Sequence, residues 1–181
     1  VRLREDHVRA AKLAVANGVD GVELHGANGY LLGQFLNPRS NQRDDAYGGS
    51  LENRMRFPLE VFDAVRAAFP AERPVSVRVS GTDWVPGGWD IGQTVAFAQA
   101  LEARGCSSIH VSSGGLHPAQ AIARPLRPVE RRSRHRQLLL DLVEQLERVL
   151  RLTVHLVDVG DNRNVPQPAH LEQLQRLRLD T

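Results

Sequence analysis

The feature that most constrains the fold is a regular alternation of helix-like and strand-like segments along the first two-thirds of the chain. Short apolar runs typical of buried strands follow amphipathic runs typical of helices; the strands are expected at about residues 19–25, 75–79 and 106–111, and the helices at about residues 4–17, 51–69 and 91–104. This alternation predicts an α/β protein with parallel strands joined by crossover helices. A (β/α)8 barrel and an open doubly wound sheet both fit the pattern, and three strands are too few to close a barrel.

Local signals mark where these helices begin and end. Gly18 and Gly105 stand just after helices, at C-cap positions where the left-handed backbone favours glycine. Ser50 stands at an N-cap position, and Pro58 inside the following helix predicts a kink or a late start. The polar, glycine-bearing stretch at residues 26–49 is long for a connection, so we expect it to be a functional loop.

Composition sets limits on the class of protein. The 181 residues are enough for one domain with a sizeable core, and no apolar run approaches the ~18 residues that cross a bilayer. The single cysteine, Cys106, excludes an internal disulfide framework and a multi-cysteine metal site, and its place before an apolar run predicts a buried, inert thiol. We therefore expect no metal, no membrane association and a cytoplasmic location. Because the chain lacks an initial Met and opens in a helix, we also expect it to begin partway through a larger protein.

Candidate chemistry lies in the segment from His25 through Asn28 to Tyr30, immediately after the first predicted strand. At the carboxyl end of a barrel strand, side chains converge on the site that hosts catalysis. An imidazole and a carboxamide directed at one carbonyl oxygen stabilise negative charge that develops there. A tyrosine hydroxyl can deliver a proton. The alternative is that His25 and Asn28 satisfy loop backbone groups while Tyr30 packs beneath the loop.

A longer pattern surrounds this segment. Residues 25–54 have the order His-x-x-Asn-Gly-Tyr, Phe-Leu, Ser-Asn-x-Arg, Asp-x-Tyr-Gly-Gly-Ser and Glu-Asn-Arg, and related sequence continues at residues 77–80, 83–84 and 111–115. This order resembles the signature loop of the Old Yellow Enzyme family, and is most similar to the bacterial ene-reductases and xenobiotic reductases. The resemblance covers about residues 6–120.

The resemblance implies a fold, a cofactor and a reaction. It implies a (β/α)8 barrel that binds FMN, with NAD(P)H as reductant, and that reduces the activated C=C bond of a small α,β-unsaturated carbonyl or nitro compound. His25 and Asn28 match the pair that binds the substrate oxygen, and Tyr30 matches the residue that protonates the α-carbon; these are the expected catalytic and substrate-binding residues. Arg78 and His25 are the expected cofactor-binding residues, Arg78 beside the flavin pyrimidine. An ion pair with a loop carboxylate is the alternative for Arg78. In the full-length relatives a homo-oligomer is expected.

The remaining residues follow a different pattern. We expect a partial flavin-binding barrel segment of about three strands at residues 1–120 and a divergent, arginine-rich and helical tail at residues 121–181. The tail has six arginines between residues 124 and 136, a predicted helix at residues 137–151 and a predicted strand at residues 153–159. The alternative function is an inactive truncated barrel whose arginine-rich tail binds nucleic acid or an acidic partner. The small net charge of +2 makes a nucleic-acid partner unlikely.

Overall fold

Four parallel strands form one sheet in the order in which they occur along the chain. The computed structural model describes residues 2–113, 141, 143–148 and 153–156. The strands are β1 (Val22–Gly26), β2 (Val75–Ser80), β3 (Ser108–Ser112) and β4 (Thr153–Leu156), in the order β1-β2-β3-β4. A doubly wound sheet reverses its strand order at a switch point, whereas the strands of a barrel keep the order of the chain. The fold is therefore a partial (β/α)8 barrel, which confirms the predicted fold class, and a strand from the tail joins the three expected barrel strands as β4.

The helices agree with the sequence-based prediction to within a few residues. They are α1 (Arg2–Ala16), α2 (Leu31–Leu36), α3 (Leu51–Ala68) and α4 (Ile91–Glu102). Gly18 and Gly105 have positive φ angles of 74° and 80°, as predicted for C-cap glycines. The Ser50 side chain accepts a hydrogen bond from the backbone N–H of Asn53, so the predicted N-cap is confirmed. Because α3 begins at residue 51, Pro58 lies inside the helix and does not mark a late start.

Helix α2 is a difference from the prediction, because it lies within residues 26–49, which we expected to be a loop. Its Leu32 and Leu36 are four residues apart, lie on one side of the helix and are buried. A six-residue helix flanked by Tyr30 and Asn37 gives too short a periodic signal to be recognised in the sequence. The helix shortens the predicted loop and fixes where the chain leaves the end of β1.

The two faces of the sheet differ in chemistry. On one face, apolar side chains of successive strands are buried with the helices, among them Leu24, Val77, Ile109 and Val154. Among the side chains that alternate with them, His25, Arg78 and His110 are exposed or only partly buried, whereas Ser80 and Ser112 at the strand ends are buried. In the part of the chain that the structure describes, the helices thus cover one face and leave the other polar, as in the wall of a barrel.

Cys106 is 4% exposed, and burial raises the pKa of its thiol to about 11. Because the thiolate is the reactive form, we expect Cys106 to resist iodoacetamide at pH 8 in the folded protein and to react once the protein is unfolded in urea. Mass spectrometry of the alkylated protein measures both states. Rapid and complete alkylation of the native protein would contradict this expectation.

Part of the tail also contributes to the fold. Residues 141 and 143–148 are helical, within the helix predicted at residues 137–151, and Val143 and Leu146 belong to the buried core. The strand predicted near residue 153 is confirmed as β4, which pairs with β3. Residues 114 and 115 of the family-like sequence and the arginines at residues 124–136 lie outside the described residues. Among the described helices none is both long and apolar enough to cross a membrane.

Candidate active site

The parallel register places one polar residue from each strand in a single row. His25 on β1 pairs with Arg78 on β2, Arg78 with His110 on β3, and His110 with His155 on β4. Because side chains at the same level of neighbouring strands lie on the same face, this row crosses the polar face of the sheet. The predicted cofactor residues His25 and Arg78 are therefore neighbours.

The electrostatic surroundings of His25 favour its neutral form. Burial lowers the pKa of His25 from its usual 6.5, and the positive charge of Arg78 lowers it further, while the carboxylate of Glu23 opposes this shift. A neutral imidazole keeps one N–H donor and one acceptor. At neutral pH, His25 can thus donate a hydrogen bond without adding a positive charge next to Arg78.

The protonation state of His25 gives a test of this arrangement. Burial and Arg78 both disfavour the protonated ring, so the midpoint of the His25 titration should lie below pH 6.5. NMR titration of the ring proton resonances, with His25 assigned by its absence in His25→Gln, measures the midpoint. In Arg78→Gln the midpoint should rise toward 6.5 without reaching it, because burial is the larger cause of the lowered pKa. A midpoint above 6.5 in the unsubstituted protein would contradict the account.

Asn28 occupies a tight turn between β1 and α2. Its φ angle of 54° lies in the left-handed region, which asparagine tolerates better than most residues. The turn is closed by a 3.1 Å hydrogen bond from the Tyr30 N–H to the Ala27 carbonyl. Two serines at the ends of other strands hold Asn28: its backbone N–H donates to Ser80 Oγ at 3.1 Å, and its Oδ1 accepts from Ser112 Oγ at 3.3 Å. The turn is thereby tied to three strands.

Tyr30 lies at the N-cap of α2, and its side chain is 61% exposed. Its ring centroid lies 4.8 Å from that of His25, with the two planes tilted by 47°. The alternative in which Tyr30 packs beneath the loop does not fit this exposure. The structure brings the phenol to the imidazole at the carboxyl end of β1, as the sequence predicted.

Arg78 retains unused hydrogen-bonding capacity. Its Nε is buried and has no hydrogen-bond partner within the described ranges. A buried guanidinium N–H without a partner is costly, so such an atom is the kind that a polar ligand group satisfies. Among the described residues no salt bridge to Arg78 is found, so the alternative of an ion pair with a loop carboxylate has no support there.

Three features of the site were missed by the sequence analysis. Ser80 and Ser112 contact Asn28, and His110 forms an ion pair with Glu23 when its ring is protonated. The alternation of polar residues with valine and isoleucine in β2 and β3 is the signal that was available, because it places these serines on the same face as Arg78. Their partners depend on register, which sequence does not specify. No cluster of three or more potential metal ligands occurs in the described part of the chain.

The loop that presents the site is anchored by Arg54. This arginine is 6% exposed and donates to the backbone carbonyls of Leu36 and Gly49 and to the side-chain oxygen of Gln93. The preceding turn requires glycine at residue 48, since an added Cβ there would lie 2.1 Å from the Arg43 carbonyl oxygen. These contacts join the end of α2, the start of α3 and α4.

Comparison with known proteins identifies the family. Residues 2–154 match the model of the NADH:flavin oxidoreductase / NADH oxidase family. An NADH:flavin oxidoreductase of Gibberella zeae is 42% identical in an alignment of 168 positions that covers 87% of this chain and 39% of that protein. An NADPH dehydrogenase of Bacillus licheniformis is 46% identical over 111 residues, 61% of this chain and 32% of that protein. The Old Yellow Enzyme homologue from Zymomonas mobilis has a similar structure, with a TM-score of 0.65 and 28% identity over 86% of this chain and 41% of its own.

The matches also define how much of the relatives is present. The chain spans well under half the length of these relatives, between 32% and 41%. The matched range runs past residue 120, to residue 154, and so includes the arginine-rich segment and the first two residues of β4. The resemblance inferred from residues 6–120 is confirmed. The chain belongs to the NADH:flavin oxidoreductase / NADH oxidase family, in which the Old Yellow Enzymes are found.

Proposed function

We propose that the protein containing this chain is an FMN-dependent ene-reductase that uses NAD(P)H to reduce the activated C=C bond of a small α,β-unsaturated carbonyl or nitro compound. The observation that carries the proposal is the contact of the Tyr30 ring with His25 at the end of β1, beside Arg78 in the register, with the Asn28 turn directly between them in the chain and its amide held by Ser112 on the same polar face. Family membership supports the redox chemistry, and the site residues support the substrate class.

The described residues fit a flavin. The polar row offers neutral and positively charged donors, and the buried Nε of Arg78 has unused capacity for a polar ring edge. Arg78, with His25 beside it, would hold the cofactor, because a positive charge near the isoalloxazine favours electron-rich forms of the ring. When bound, FMN supplies hydride transfer from NAD(P)H to the β-carbon of the alkene.

His25 and Asn28 are proposed to bind the carbonyl or nitro oxygen of the substrate. Negative charge develops on that oxygen as hydride reaches the β-carbon, and two fixed donors stabilise it. The lowered pKa of His25 leaves a neutral N–H donor at neutral pH. The Nδ2 of Asn28 has no hydrogen-bond partner in the described residues, while Oδ1 is occupied by Ser112, so the donor end of the amide is available.

Tyr30 is proposed to deliver the proton to the α-carbon of the substrate. Its exposed position beside His25 allows a bound substrate to reach the hydroxyl, and solvent can then restore the proton. We also propose that the substrate is a small alkene and that the protein is cytoplasmic. The division at residue 120 into a flavin-binding segment and a divergent tail stays a prediction.

The direct test uses the protein encoded by the complete native gene. FMN is titrated into the purified protein, and the flavin-loaded protein is mixed with cyclohex-2-enone and either NADPH or NADH. We expect one FMN bound per active site and cyclohexanone formed in proportion to the reductant consumed. If bound FMN is reduced by the nucleotide but no alkene or nitroalkene is reduced, the proposed substrate class is wrong.

A further inference from the structure

The amide of Asn28 is held by a residue on a different strand. Ser112 is the last residue of β3, is fully buried, and has its Oγ 3.3 Å from Asn28 Oδ1. The hydroxyl donates to the amide oxygen, so the amide nitrogen faces away from this bond. Ser112 thereby determines which end of the Asn28 carboxamide is available to a ligand.

The position of Ser112 is fixed by the sheet. It lies opposite Ser80 in the β2–β3 register, and its carbonyl accepts a 2.7 Å hydrogen bond from the Gly81 N–H. Ser80 in turn holds the Asn28 backbone N–H at 3.1 Å. The turn at Asn28 is therefore held by its backbone on β2 and oriented by its side chain on β3. These are separate functions of two similar residues.

An asparagine amide without this contact has two orientations. Its oxygen and nitrogen ends have nearly the same shape, and rotation by about 180° exchanges a donor for an acceptor. An acceptor turned toward a substrate carbonyl would repel the oxygen that the site is proposed to bind. A donor on the amide oxygen removes this ambiguity, and Ser112 provides one from a buried and rigid position.

We propose that Ser112 is a positioning residue, which locks the Asn28 amide with its N–H groups toward the substrate oxygen. This inference rests on the proposed function. Ser112 acts through Asn28, so its loss should affect ligand binding only while the Asn28 amide is present.

The test measures the dissociation constant of cyclohex-2-enone from the oxidised, FMN-loaded protein, with the change in flavin absorbance as the binding signal. The oxidised protein is used because the enone is not turned over without reductant. We expect Asn28→Ala to weaken binding about tenfold and Ser112→Ala about fivefold, the size of one hydrogen bond. In the Asn28→Ala background, Ser112→Ala should change binding less than about twofold. Ser108→Ala is the matched control, because Ser108 is on the same strand and its Oγ contacts Ser76 instead, at 2.7 Å; it should bind like the unsubstituted protein.

A second variant separates positioning from packing. Ser112→Cys keeps a side chain of similar size but offers only a weak donor, and it should weaken enone binding nearly as much as Ser112→Ala. FMN affinity should be unchanged in both variants. The inference would be overturned if Ser112→Ala or Ser112→Cys left enone binding unaffected. It would also be overturned if Ser112→Ala weakened binding equally with and without the Asn28 amide. Either result would leave the proposed function standing. If Asn28→Ala itself has no effect, both the inference and the proposed role of Asn28 fail.

Discussion

Replacing Tyr30 with phenylalanine is expected to slow enone reduction by about a hundredfold or more, while enone binding changes little. The hydroxyl is the proposed proton donor, and general acids contribute about 10²- to 10⁴-fold to such steps. Phenylalanine preserves the ring that lies 4.8 Å from His25, so the arrangement of the turn should be kept. The measurement is anaerobic stopped-flow mixing of the reduced, FMN-loaded protein with cyclohex-2-enone.

The chain offers a matched control for this substitution. Tyr47 is the second of its two tyrosines, and its hydroxyl lies 3.3 Å from a carboxylate oxygen of Glu60 on α3. Tyr47→Phe removes the same hydroxyl at a position away from the proposed site. The rate at which the enone reoxidises the reduced flavin should stay within about twofold of that of the unsubstituted protein. Equal rates for Tyr30→Phe and the unsubstituted protein would show that the proton comes from another source.

Replacing Arg54 with leucine is expected to lower the free energy of unfolding by about 3 kcal/mol, because three hydrogen bonds are lost and the carbonyl of the buried Leu36 is left without this donor. Those acceptors are the carbonyls of Leu36 and Gly49 and the side chain of Gln93. Burial already lowers the pKa of Arg54, which agrees with a guanidinium removed from water. The change in the free energy of unfolding is measured by urea unfolding of the FMN-free protein, monitored by circular dichroism.

The control for this experiment is Arg104→Leu. Arg104 pairs with Asp63 at 3.4 Å on the surface, and exposed pairs of this kind contribute less than about 1 kcal/mol. Comparable losses for Arg54→Leu and Arg104→Leu would contradict the anchoring function assigned to Arg54. A large loss at Arg54 alone is the expected result.

Much of the fold was predictable because its signals are local. The left-handed glycines at residues 18 and 105 and the cap at Ser50 depend on residues within one turn of the helix end. The alternation of valine with polar residues in β2 likewise identifies both the strand and its two faces. These signals give the elements and their order, and the family resemblance gives the barrel.

The site was predictable only in part, because its completion depends on distant residues. His25, Asn28 and Tyr30 are close in sequence, so their convergence follows from one strand end and one turn. The contact between Asn28 and Ser112 joins residues 84 positions apart and depends on the register of three strands. Local patterns do not determine that register.

The central claim is that His25 and Asn28 together bind the oxygen of an activated alkene beside a flavin held by Arg78. A crystal structure of the FMN-loaded protein soaked with cyclohex-2-enone tests this most directly. We expect the enone oxygen within about 2.7–3.2 Å of both a His25 ring nitrogen and Asn28 Nδ2, with the Arg78 guanidinium in contact with the flavin. An enone oxygen bound away from both residues, or a flavin that Arg78 does not touch, would contradict it.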